Sequence, residues 1–115
     1  MTSYDLTKTA EDFRREAKRD DYRARKDAER AESYYRTARR TREHLAWLTR
    51  RPDMWDEDGC DPALVARNVR SWEHIADMFL RSSFRATERA HHHRKLARDY
   101  FAMAARRTAD FAEIV

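Results

Sequence analysis

RRPDMWDEDGCDPALV, residues 50–65, holds the only glycine and both prolines of the chain: Pro52, Gly59 and Pro62. The rest of the sequence contains no strong breaker, so any long regular element must end in this stretch. Asp61 followed by Pro62 is a helix start: a carboxylate accepts the free amides of the first turn, and proline is tolerated at the first helical position. Pro52 stops what precedes it, because the residue before a proline is pushed out of the helical region. The reading is one helix over 3–51, an acidic turn over 52–61 and a second helix over 62–112, all within a single domain of residues 1–115.

Two helices of equal length joined by a short connection predict an antiparallel hairpin. Heptad spacing supports this. Ala10, Ala17, Ala24, Ala31, Ala38 and Leu45 recur every seven residues. Leu6, Phe13, Asp20, Asp27, Tyr34, Thr41 and Leu48 occupy the other seam row. In the second helix Val69, Ala76, Ser83, Ala90, Ala97, Ala104 and Phe111 form one row, and Val65, Trp72, Phe79, Ala86, His93, Tyr100, Arg107 and Ile114 the other. Folding at the acidic turn sets residues whose numbers sum to about 113 or 114 opposite one another. Small then faces small in one row, as in Ala38 with Ala76 and Ala24 with Ala90. In the other row Thr41 meets Trp72, Tyr34 meets Phe79 and Phe13 meets Tyr100. This arrangement resembles the alanine-based antiparallel coiled coils known as Alacoils, a packing motif that implies no activity. The expected fold class is all-α, a long two-helix coiled-coil hairpin that dimerises into a four-helix bundle.

Charged residues make up 40% of the chain against 41% hydrophobic, and many of the latter are alanines, so little apolar volume is available. Yet the second helix carries more large apolar residues than one seam can cover. Tyr35, Ile75, Met78, Leu80 and Phe84 sit in the half nearer the turn. Together they predict a partner-binding face for a second copy of the chain, a larger protein, or both. Trp55, in a turn with five acids and no base between residues 53 and 61, is a further candidate anchor; the plainer reading makes it a lid on the hairpin's end.

Three polar residues fall on the seam. Asp20 faces His93, and Asp27 has Arg85 and Arg89 as candidate partners. All three read as pins that set register, with a pH-responsive His93 as the alternative. The run His91, His92, His93 cannot share one metal ion, because consecutive helical residues point about 100° apart. Glu88 and His91 have the Glu-x-x-His spacing of di-iron carboxylate bundles, but no facing glutamate completes a site, so a ferritin-like dimer is only a remote alternative. No metal or other cofactor is expected.

There is no phosphate loop, paired-cysteine motif or nucleophile elbow, and the expectation is a protein without enzymatic activity. Small secreted WXG-type hairpins have a similar length, but here no Trp has a glycine two residues on and no Tyr an acid four residues on. The net charge is +4, almost all of the cations being arginine. Arg15, Lys18, Arg19, Arg23, Lys26, Arg94 and Lys95 form the alternative reading, a nucleic-acid face. Interleaved acids make an ion-paired, solvated surface the plainer account of it. The lone Cys60, the absence of any long apolar run and a first segment without signal-peptide character suggest a cytoplasmic protein without membrane contact. A small adaptor, structural or inhibitory accessory protein, of the kind phages and mobile elements carry, fits this profile.

Overall fold

The computed structural model describes residues 1–54 and 61–114, which form helix α1 (Ser3–Thr49), a short 3₁₀ turn (Pro52–Met54) and helix α2 (Pro62–Ile114). No strand occurs among the described residues. The fold is an all-α helical hairpin. The central residues of the acidic turn, Trp55 among them, and the Ile114 side chain lie outside the described residues.

Each helix start follows from its capping residues. At α2, the backbone amide of Ala63 donates to Asp61 Oδ1 at 2.9 Å, and that of Val65 to the Asp61 carbonyl at 3.0 Å. Asp61 is therefore the cap and Pro62 the first helical residue, as expected. At α1, Thr2 and Asp5 form a reciprocal box. The Asp5 amide donates to Thr2 Oγ1 at 3.1 Å, while the Thr2 amide donates to Asp5 Oδ2 at 3.0 Å. That is a capping box with aspartate as its acid. α1 ends two residues before the expected position. The amides of Arg50 and Arg51 bond the carbonyls of Trp47 and Leu48, a tightened last turn that accommodates Pro52.

The chain divides into two compact units, each built from one segment of either helix: Met1–Arg25 with Phe84–Val115, and Lys26–Ser83. In the first unit Phe13 packs between His93 and Tyr100, with ring centroids 5.9 and 5.6 Å away. Ser3 Oγ donates to the Ala104 carbonyl at 3.2 Å, and Leu6, Ala10, Ala17, Ala24, Ala86, Ala90, Ala97 and Ala104 are buried. In the second unit Tyr34 stacks between Trp72 and Phe79, both centroids at 5.6 Å, and Ala31, Ala38, Leu48, Val69 and Ala76 are buried. Rising numbers on α1 meet falling numbers on α2 within each unit, so the segments are antiparallel.

Apart from Leu6, Leu48 and Val69, every buried hydrophobic residue among the described residues is an alanine. A methyl group contributes only about 0.8 kcal/mol on burial, so the seam gains mainly from close backbone approach and from its half-buried aromatic rows. Two seam assignments differ from expectation. Phe111 is 69% exposed, and Arg107 is exposed and donates to the Met1 carbonyl. The register pairs Phe111 with Thr2 or Ser3 at the very start of α1, so no helix surface remains to cover it, and the charged head of Arg107 stays in solvent. Trp72 also stacks on Tyr34, and Thr41 turns its hydroxyl to the Thr37 carbonyl at 2.8 Å.

Candidate functional site

Within Lys26–Ser83 the two helix segments leave a groove of about 600 Å³. Ala28, Ala31, Ala38 and Leu80 supply its apolar lining. Arg36, Arg39 and Arg42 line it from α1, and Glu73 and Asp77 from α2. The half-buried Tyr35 donates its hydroxyl to Asp77, and Arg42 pairs with Glu73, so both bonds link the helices across the groove. Donation to the Asp77 carboxylate holds the Tyr35 phenol above its ordinary range, with the nearby negative charges of Asp77 and Glu73 acting in the same direction. Arg36 pairs with Glu32 at 3.1 Å, another lining residue, whereas Arg39 forms no ion pair among the described residues.

Sequence reasoning anticipated Tyr35 and Leu80 but missed Arg39, Arg42, Glu73 and Asp77. Each follows a seam residue by one, Ala38, Thr41, Trp72 or Ala76, so a helical wheel puts them on one flank of each segment. The expected six-residue partner face is not one surface. Ile75 and Met78 do not line the groove. Five residues at about 100° each turn Leu80 about 140° away from Ile75, and two residues put it about 160° from Met78. Met78 is 56% exposed on that other flank. Phe84 belongs to the other unit, where it is 61% exposed. Trp55, the remaining expected anchor, lies outside the described residues. Tyr35 and Leu80 thus share the groove, whereas Ile75 and Met78 lie at a different azimuth of α2.

Asp20 and Asp27 on the seam are buried and partnered. Asp20, 6% exposed, lies with Oδ2 at 2.8 Å from His93 Nδ1 and Oδ1 at 3.5 Å from Arg89 Nε. Asp27, 5% exposed, accepts from Ser82 Oγ at 2.6 Å and pairs with Arg30 at 3.4 Å. These partners replace the expected Arg85 and Arg89. Ser82 reaches Asp27 directly, Arg30 covers the other oxygen from one turn along the same helix, and Arg89 is held at the Asp20 layer. No buried side-chain nitrogen or oxygen lacks a hydrogen-bond partner among the described residues.

His91 and His92 are exposed and His93 half-buried, the separation that helical geometry dictates. Among the described residues no group of three or more His, Cys, Asp or Glu side chains could hold a metal ion. Of the expected nucleic-acid residues, Arg15 pairs with Asp12, Arg19 with Glu16 at 2.7 Å, Lys26 with Glu29 at 3.5 Å and Arg94 with Asp21 at 2.7 Å. Lys18, Arg23 and Lys95 form no ion pair among the described residues. The outward row of α1 is thus largely neutralised. No described helix is long and apolar enough to cross a membrane.

Comparison with protein-family models, with curated proteins and with solved structures returns no match.

Proposed function

We propose that the chain is a small non-enzymatic protein–protein interaction module, an accessory protein that pairs with a second copy of itself through the groove of Lys26–Ser83. The groove's composition carries this reading. Its floor is alanine and leucine, and its two walls differ in net sign, with Arg36, Arg39 and Arg42 outnumbering Glu32 on α1 and facing Glu73 and Asp77 on α2. A twofold axis lays the α1 wall of one copy on the α2 wall of the other, so a surface of this kind is complementary to itself. Arg39, without an acid of its own among the described residues, gains one across such an interface. The thin alanine seam adds weight, because a two-segment ribbon with so few large buried side chains gains most from burying Leu80 and Tyr35 further. A cytoplasmic setting, consistent with the lone Cys60, belongs to the same proposal.

Sedimentation equilibrium at tens of micromolar tests it. The expected result is a dimer that Leu80→Asp and, independently, Arg39→Glu convert to monomer with helical circular dichroism retained, while Met78→Asp on the other flank leaves it intact. A strictly monomeric wild type, or dissociation by Met78→Asp alone, overturns the proposal.

A further inference from the structure

The unit formed by Met1–Arg25 and Phe84–Val115 carries a second groove, of about 290 Å³, lined by Arg14, His91, Arg94, Ala97, Arg98 and Phe101. We propose that it binds a phosphate group, free or carried on a nucleic-acid strand. Three guanidinium groups and an imidazole line it and no carboxylate does. In the groove of Lys26–Ser83, by contrast, three arginines are matched by three acids, Glu32, Glu73 and Asp77.

The cations are also held in place. The Arg14 guanidinium lies 4.8 Å over the Phe101 ring, a cation–π contact that restrains it at the groove. Arg94 is anchored by Asp21 at 2.7 Å and donates its other terminal nitrogen to His91 Nδ1 at 3.3 Å. Because arginine can only donate, Nδ1 is the accepting atom of that contact, which leaves Nε2 as the ring nitrogen available to an anion. Arg14 and Arg98 form no ion pair among the described residues, unlike Arg15 and Arg19 on the outward row. Two guanidinium groups without an ion pair among the described residues, Arg14 and Arg98, beside an Arg94 already anchored by Asp21, suit the tetrahedral oxygens of a phosphate better than a single carboxylate.

The test titrates the full chain with sodium phosphate at constant ionic strength, following the backbone amides of residues 91–101 by NMR. In parallel, a fluorescein-labelled single-stranded oligonucleotide is followed by anisotropy. Saturable shifts centred on His91, Arg94 and Arg98 are expected. The double variant Arg14→Gln, Arg98→Gln should weaken binding about tenfold or more, the loss of charge-assisted bonds, while Arg15→Gln, Arg19→Gln changes it less than about twofold. Arg14 and Arg98 are exposed, so neither change removes a buried contact. Arg98→Lys keeps the charge but not the fork and should weaken binding severalfold. Oligonucleotide binding that phosphate displaces identifies a strand as the source; shifts with phosphate alone identify the free anion. Absence of saturable shifts with both probes, equal losses in the two double variants, or wild-type affinity in Arg98→Lys overturns the assignment.

Discussion

Asp20 and His93, on opposite helices of one unit, meet at 2.8 Å between Oδ2 and Nδ1 inside a seam made mostly of alanine and aromatic rings. The same carboxylate accepts from Arg89, and the imidazole stacks on Phe13. Asp20→Ala leaves two donors without their acceptor and should destabilise the hairpin by about 1–3 kcal/mol. Changing Asp20 and His93 together to leucine replaces the polar pair by an apolar one and should cost less than the single change, since removing both partners strands neither. Thermal unfolding of Asp20→Leu, His93→Leu and the double leucine variant gives the coupling energy directly. A double variant no better than Asp20→Ala would mean that the pair stabilises the seam in its own right.

Tyr35 gives unit Lys26–Ser83 an alkaline limit. Its phenol is held above the ordinary range because the hydroxyl donates to Asp77. A group whose folded pKa is raised binds its proton more tightly folded than unfolded. Its contribution is therefore complete below the unfolded value of about 10 and disappears as pH rises through the folded value. Tyr35→Phe should remove that part of the dependence. Urea midpoints measured between about pH 8 and pH 11.5 should fall more steeply for the wild type than for the variant.

Most of the fold was legible because two signals agree. Asp61 and Pro62 mark the restart of the chain, and the alanine heptads set the register, which places Phe13 on Tyr100, Tyr34 on Phe79 and Asp20 on His93. A heptad pattern, however, says nothing about where its partner stops, and Phe111 continues the period past any covering helix. Nor does register identify which side chain reaches a buried acid: Ser82, shorter than either expected arginine, reaches Asp27. The two grooves were the least legible features. Each is made by residues beside the seam on both helices, and lining residues such as Arg98 and Asp77 look in isolation like ordinary solvated charges.

Asp5 sets an acid limit for the first turn of α1. Hydrogen bonds from the Thr2 amide and hydroxyl keep its carboxyl below the ordinary range, with Lys8 adding to the effect. A depressed folded pKa means a contribution that is present above the unfolded value of about 3.9 and lost as pH falls through the folded value. Hydrogen exchange at the Leu6 amide, which closes the first turn on the Thr2 carbonyl at 3.0 Å, should accelerate over that window relative to amides in the middle of α1. Asp5→Asn should speed exchange there at neutral pH and flatten the acid response.

Ala90 has no exposed surface, and the register sets it opposite Ala24, itself buried. The two backbones approach closely because neither side chain extends beyond a methyl group, so an added isobutyl group has nowhere to go without separating the helices. Ala90→Leu should destabilise by about 1–3 kcal/mol although it adds apolar area, whereas Ala102→Leu, on the exposed side of the same helix, should change stability by no more than about 0.5 kcal/mol. Parallel thermal melts of the two variants separate the explanations. If the seam gained stability mainly from apolar area, Ala90→Leu would raise the midpoint. A seam that depends on close approach requires it to fall.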